Sequence, residues 1–352
     1  MSTTRPTSAE MAARRRPAGA DSPWRRLGRY QAINIVVIYA VVLVVAVGWS
    51  LVRPDQLSFA TAGNLAVLAQ QIPVTAIVAI GVGLLMISGE FDISVAGTFT
   101  LVPFVVAVLT ASHGFPLLLA IAAGIAVAIV VGVINGVLTT RFAIPSFIAT
   151  LGTMFVLRGA VRWISLNPQT NQPDSDRFFP GDLFEALFTG QIAGPLYAQV
   201  VWLLVVAIGG WALLNRHKFG NHLFACGGNR NAAVAVGVPV PQVKMIAFII
   251  CAVLAGFAGI LQATRINEIE PSYATISGLE LKAIAAVVVG GVSLLGGRGA
   301  ILGMVLGAAL IETVDNLLVL VSAPETVFKG FLGAVIIVAA VLNAVIRKRG
   351  RS

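Results

Sequence analysis

Apolar residues run in long stretches along this chain, and polar residues gather in short clusters between them. Ten stretches stand out, at roughly 33–52, 63–88, 93–112, 116–139, 146–165, 197–214, 243–263, 280–295, 300–321 and 326–346. A helix needs about 20 apolar residues to cross a hydrocarbon core of about 30 Å. The pattern predicts an all-α polytopic membrane protein of about ten transmembrane helices. Gly299, Gly303 and Gly307 recur every four residues, as do Gly132 and Gly136. Such ladders let helices approach closely.

The most informative polar cluster is 215–244, NRHKFGNHLFACGGNRNAAVAVGVPVPQVK. It is basic, and it predicts a very short helix with both ends marked. Asn229 caps the start, and Gly237 stops the helix in a left-handed conformation. Pro239 and Pro241 prevent its continuation. Between the caps lie Ala232, Ala233, Val234, Ala235 and Val236. A helix this short is marginal in water, so packing has to hold it. A small, smooth, apolar helix on the charged side of a membrane suits a plug for another protein's groove. An ordinary connecting loop is the plainer reading of the same residues.

Charge orients the chain. With the N-terminus in the cytoplasm, the other cytoplasmic pieces lie near Arg141, at 215–244, near Arg298 and at 347–352, and with the N-terminal tail they hold 17 of the 24 Lys and Arg residues. This is the bias of the positive-inside rule and places both termini in the cytoplasm. Residues 1–30 carry seven arginines and read as a disordered basic tail, with a transit peptide as the alternative. Residues 31–346 form the membrane domain, and 347–352 a basic C-terminal tail. The outside loop, 166–195, carries Asp174, Asp176, Asp182 and Glu185 against Arg177, together with Phe178, Phe179, Phe184 and Phe188. It reads either as a docking face for an extracytoplasmic partner or as a solvated loop, part of it resting on the membrane surface.

Composition narrows the classes. A chain of 352 residues, 57% hydrophobic and 11% charged, with a mean hydropathy of +0.91, lies outside the soluble range. The net charge of +9 does not imply nucleic acid, because the basic residues track one side of a bilayer. Cys226 and Cys251 make no disulfide framework or CxxC pair. His113, His217 and His222 have no metal-ligand spacing. No GxxxxGK[ST] stretch occurs, so the chain has no phosphate loop for ATP. No cofactor or metal is expected.

Charges inside spans are costly and face a cavity or a partner. The first such cluster is SGEFDIS, Ser88 to Ser94, where Glu90 and Asp92 interrupt an apolar run. A helix break here, relieved by Gly89, would line an aqueous or protein-filled space, or form an ordinary cytoplasmic turn. The second is Glu280 with Lys282. The third is Glu312, Asp315 and Asn316, whose acids share one helical face and could pair with Lys329. No catalytic constellation accompanies these acids. A faint internal repeat aligns Ala76, Ile77, Ala79, Gly83 and Gly89 with Ala283, Ile284, Ala286, Gly290 and Gly296 at a constant offset.

Four blocks then converge on one family. SGEFDISVAG at 88–97, NGVLTTRFAIPSFIATLGTMFVLRG at 135–159, GGNRNAAVAVGVPVPQVKMIAFIICAVLAGFAGIL at 227–261 and GLELKAIAAVVVGGVSLLGGRGAILGMVLGAALI at 278–311 resemble, in that order, the signature blocks of ABC importer permeases for monosaccharides, the ribose-type branch. The resemblance covers nearly the whole chain beyond the N-terminal tail. It implies that Gly227, Gly228, Asn229, Ala233 and Gly237 belong to a coupling segment that docks on a cytoplasmic ABC ATPase. It also implies a second permease copy, identical or homologous, and an extracytoplasmic substrate-binding protein that delivers the sugar. Glu90 stands where the family has a second glycine, Val236 where it has a serine, and Asp315–Asn316 where it has an Asn pair. Glu90, Asp92, Ser94, Asp315 and Asn316 are the expected pathway-lining positions. An ABC permease for another small polar solute, such as a branched-chain amino acid or a nucleoside, fits the same residues. An ion-coupled carrier using Glu90 and Asp92 is the alternative from another class, and a membrane-embedded enzyme is the remaining one.

Overall fold

A computed structural model describes residues 23–165, 188, 190–193, 196–266, 271 and 278–349. Most of the basic tail and most of the 166–195 loop lie outside the described residues. Twelve α-helices run through them: α1 (Pro23–Val52), α2 (Ala62–Ile87), α3 (Val95–Ala107), α4 (Leu117–Thr140), α5 (Ser146–Ile164), α6 (Ala198–Asn215), α7 (Lys218–Gly228), α8 (Arg230–Ala235), α9 (Val240–Ile266), α10 (Leu279–Val289), α11 (Ile301–Leu320) and α12 (Glu325–Arg349). A π-helical turn, Val108–Ser112, extends α3. Two short strands, β1 (Gln191–Ala193) and β2 (Leu196–Tyr197), pair antiparallel just before α6.

Each of the ten apolar runs is helical. Seven helices, α1, α2, α4, α5, α6, α9 and α11, are long and apolar enough to cross a membrane. Helix α10 is shorter than its predicted run because Gly290 and Gly291 end it. Gly291 adopts φ +88°, and the Gly291 and Val292 amides donate to the Val288 and Val287 carbonyls. These are the bonds of a left-handed glycine cap. At the chain ends the helices exceed the predicted spans. Helix α1 takes in residues 23–30 of the predicted tail, and α12 runs on through Arg349. Arg and Lys are good helix formers, and their long stems reach polar surroundings from a helix end.

Helices α2, α9 and α11 form the centre. Helix α9 packs against α4, α2 and α3, while α11 packs against α2 and α10. Their shared core includes Ile77, Ile80, Leu84, Met86, Phe104 and Phe248. The outer helices turn large apolar side chains outward, among them Val44 and Leu51 of α1, Val156 of α5 and Ile208 of α6. Outward apolar faces on helices of this length describe a bundle whose solvent is lipid.

The glycine ladders act at these contacts. A methyl group added at Gly303 would lie 2.0 Å from the Gly290 carbonyl oxygen, and one at Gly307 would lie 2.0 Å from that of Ala286. At Gly132 it would lie 2.6 Å from the Ile249 Cα. The obstruction is backbone in each case, so α10 meets α11, and α4 meets α9, at a distance only glycine permits. The faint repeat is less regular. It aligns Gly89 with Gly296, yet Gly291 is the residue that ends α10 as Gly89 ends α2. The loop after α10 is longer than the loop after α2, and this breaks the register.

These contacts give an expected outcome. Gly132→Val should destabilise the protein by about 2 kcal/mol or more, because backbone cannot step aside as a side chain does. Gly152→Ala on α5, where an added methyl meets nothing, should stay within about 0.5 kcal/mol. Thermal unfolding of the purified protein checks the pair.

Candidate functional site

Three loops meet on the side where the basic cluster lies. The first is the break after α2. Gly89 has φ +87°, and the Gly89 and Glu90 amides donate back to the Met86 and Leu85 carbonyls. The second is the end of α7, at Gly227 and Gly228. The third is the turn before α11, where Gly296 and Gly297 have φ +81° and +75°. A methyl group on Gly227 would lie 1.9 Å from the Ile87 carbonyl oxygen, and one on Gly296 would lie 2.9 Å from the Cα atoms of both Gly89 and Gly227. One on Gly297 would lie 2.7 Å from the Gly228 Cα. The Gly297 amide donates to the Ile87 carbonyl at 2.9 Å. Five glycines from three loops thus form one backbone junction.

The rest of the SGEFDIS break is held by side chains. Asp92 is 1% exposed. Its carboxylate accepts from the Ser94 amide at 2.7 Å, the Ser94 hydroxyl at 2.6 Å and the Asn135 amide group at 3.2 Å. The Phe91 and Ile93 amides donate to the hydroxyls of Ser146 and Thr150 on α5. The break is therefore packed against α4 and α5, and the amides of Gly89, Glu90, Phe91, Ile93 and Ser94 all find acceptors within the protein. Asp92 and Ser94 are brought together. Glu90 points elsewhere and pairs with Lys244 in the first turns of α9.

Helix α8 hangs from this junction. The Asn229 side chain accepts from the Ala232 amide at 3.1 Å. At the other end Gly237 has φ +81°, and the Gly237 and Val238 amides donate to the Val234 and Ala233 carbonyls. Both predicted caps are formed. Ala233 is only 2% exposed and faces inward, whereas Val234 is 58% and Val236 78% exposed. The outward face of α8 is thus made by valines, with Arg230 and Asn231 also exposed. Cys226 lies buried in α7, and that burial pushes its thiol pKa up.

The remaining polar residues form interhelical ties. Lys282 of α10 donates to Asp315 of α11 at 2.6 Å and lies 3.6 Å from Glu312. Glu312 also accepts from the Thr75 hydroxyl at 2.6 Å. Asn316 exchanges two amide bonds, 3.0 and 2.8 Å, with Asn64 of α2. The expected partner Lys329 instead pairs with Glu325 one turn away on α12. It is half-exposed, whereas Lys282 is buried beside both acids, and that proximity decides the pairing. Glu280 does not join Lys282, and it meets Arg158 of α5 at 3.4 Å.

Sequence reasoning missed several of these residues. It read 215–244 as a loop with one short helix, whereas α7 occupies Lys218–Gly228, started by His217, whose ring accepts from the Phe219 amide. It gave no role to Lys244, Gly296 or Gly297. The left-handed glycines of GGRG were a visible signal, but their meeting with GGN lies far along the chain.

A bundle of membrane-length helices with apolar faces turned outward defines a polytopic membrane protein. The chain belongs to the family described as branched-chain amino acid transport system / permease component, which matches residues 64–340. It is 34% identical over 338 residues to the L-arabinose ABC transporter permease protein AraH of Azospirillum brasilense, covering 96% of this chain and 95% of that one. It is 33% identical to the ribose import permease protein RbsC of Escherichia coli K12, over 81% of this chain and 86% of that one. The D-allose transport system permease protein AlsC of the same strain is 32% identical, over 82% and 86%. No solved structure matches the chain. It is a multi-pass protein of the cell membrane.

The Glu90–Lys244 pair gives the expected outcome here. Lys244→Met should cost on the order of 3 kcal/mol, because it leaves a largely buried carboxylate unpaired. The double variant Glu90→Gln/Lys244→Met should recover most of that loss. Thermal midpoints of the three proteins check it.

Proposed function

We propose that this chain is the membrane-spanning subunit of an ATP-driven importer, and that it moves a monosaccharide handed over by an extracytoplasmic binding protein. The observation that carries the reading is α8, a capped helix with an exposed valine face, anchored through Gly227 and Gly228 to the breaks beside α2 and α11. Such a mount passes a push on α8 directly to two central helices. With no phosphate loop in the chain, the push comes from a separate cytoplasmic ABC ATPase. A second permease copy, identical or homologous, completes the pathway, with both termini on the cytoplasmic side. The monosaccharide assignment is supported by relatives named for L-arabinose, ribose and D-allose that align over most of their length.

The family description favours a second reading, in which the solute is a branched-chain amino acid. Ligand screening of the cognate binding protein separates the two. The geometry gives less support to an ion-coupled carrier, because Glu90 is engaged by Lys244 and Asp92 by Ser94 and Asn135. Within the importer reading, Asp315 and Asn316 are likewise engaged, by Lys282 and Asn64, and they tie α11 to α10 and α2. Asp92 and Ser94 act by holding the break, and Gly227 acts by closing the junction.

Val234→Glu should leave the thermal midpoint unchanged and weaken ATPase association about tenfold or more, as expected for a charge placed in an apolar contact. Ala233→Glu should lower the midpoint as well, because that side chain points inward. Co-purification of the ATPase, measured beside unfolding, checks both. Full ATPase recovery with Val234→Glu would count against docking through α8.

A further inference from the structure

Three ion pairs join helices, or a helix and a break, among the described residues of the membrane domain, and they differ in one respect. Lys282 finds Asp315 and Glu312, and Glu312 also takes the Thr75 hydroxyl. Lys244 closes on Glu90. In the third pair, Arg158 meets Glu280 through a single Nη2–Oε1 contact of 3.4 Å. That is long for a charge-assisted bond, and it uses one prong of a fork built for two. Arg158 Nε and Glu280 Oε2 are both buried and have no hydrogen-bond partner among the described residues. A spare donor and a spare acceptor therefore stand on two facing charged groups. Buried polar atoms left unpaired cost stability, so a pair that keeps both calls for an explanation. The side chains are 29% and 13% exposed, while the two spare atoms lie buried between them, so a solute reaches those atoms where α5 and α10 part.

We propose that Arg158 and Glu280 form a hydroxyl-binding contact for the sugar in the translocation pathway, with Arg158 Nε–H donating to one hydroxyl and Glu280 Oε2 accepting from its neighbour. The inference rests on the monosaccharide importer reading. Each sugar hydroxyl both donates and accepts, so two adjacent hydroxyls satisfy both spare atoms at once. The pair is neutral in sum and matches an uncharged solute. Its loose single contact also suits a transit site, which has to release what it binds. Helices α5 and α10, which carry the two groups, are not otherwise tied to each other by a described hydrogen bond or ion pair. A solute entering between them is held by both.

The test uses the complete importer, reconstituted in liposomes with its ATPase and binding protein. The probes are L-arabinose, ribose and D-allose, and a deoxy analogue of whichever is transported. Two variants are compared with the parent. Glu280→Gln removes the carboxylate, and Arg158→Lys keeps the charge but removes Nε–H. Each should reduce sugar moved per ATP hydrolysed by about tenfold, the loss of roughly one hydrogen bond to a charged group. ATP hydrolysis stimulated by the loaded binding protein should stay within about twofold on the same scale. The deoxy analogue should lose less in the variants than in the parent, because its missing hydroxyl has already forfeited the contact. Unchanged uptake per ATP with Arg158→Lys would overturn the inference. So would an equal loss of uptake and stimulated hydrolysis in both variants, restored by the exchange Arg158→Glu/Glu280→Arg, which marks a structural pair. Failure of the parent to move any of the three sugars would overturn the monosaccharide reading, and the inference with it.

Discussion

Backbone that leaves helical pairing inside a lipid-facing bundle has to find its hydrogen bonds within the protein. In this chain that requirement falls most heavily on the breaks after α2 and α10. Left-handed glycines close the two helix ends, and Ser146 and Thr150 of α5 take the amides of Phe91 and Ile93. The Gly297 amide finds the Ile87 carbonyl. A side chain at Gly227, Gly296 or Gly297 would separate these backbones, and with Gly89 and Gly228 they make five glycines from three loops that meet in one place. Asp92 serves the same end by gathering Ser94 and Asn135.

The consequence for function is mechanical. Helix α8 has six residues and would not persist alone in water. It persists because Asn229 and Gly237 finish its ends, Ala233 packs inward, and the Gly227–Gly228 segment before it is wedged against α2 and the turn before α11. Lys244 then ties the helix after it to Glu90. In the proposed coupling role, a displacement of α8 would pass through these contacts to α2, α9 and α11, the three most buried of the membrane-length helices. At the other ends of α2 and α11, Asn64 and Asn316 couple these two helices, and Lys282 ties α10 to Asp315 of α11.

Much of this was legible in the sequence, and the limits follow from the range of each signal. Ten apolar runs announce ten helices because hydropathy is local. The caps at Asn229 and Gly237 were readable for the same reason. Helix α7 was not, because its polar and apolar residues mix without a long apolar run and its start depends on a histidine ring. The inward turn of Ala233 follows from tertiary packing, which no short pattern encodes. Glu312 and Asp315 were recognised as a shared face, but their partner is Lys282 on α10, not Lys329. The glycines of the three loops were each visible, and their convergence was not, because it joins positions spread over most of the chain. Arg158 lay inside the block at 135–159, and nothing local gave it a role apart from its neighbours.

The most direct test of the account is photo-crosslinking from the exposed face of α8. A photoreactive amino acid placed at Val236 in native membranes should capture an ABC ATPase subunit, identified by mass spectrometry of the crosslinked band. The same probe at Val156, on the outward face of α5, should not capture it. Capture of the ATPase from Val156 but not from Val236, or of lipid alone from both, would contradict a coupling role for α8.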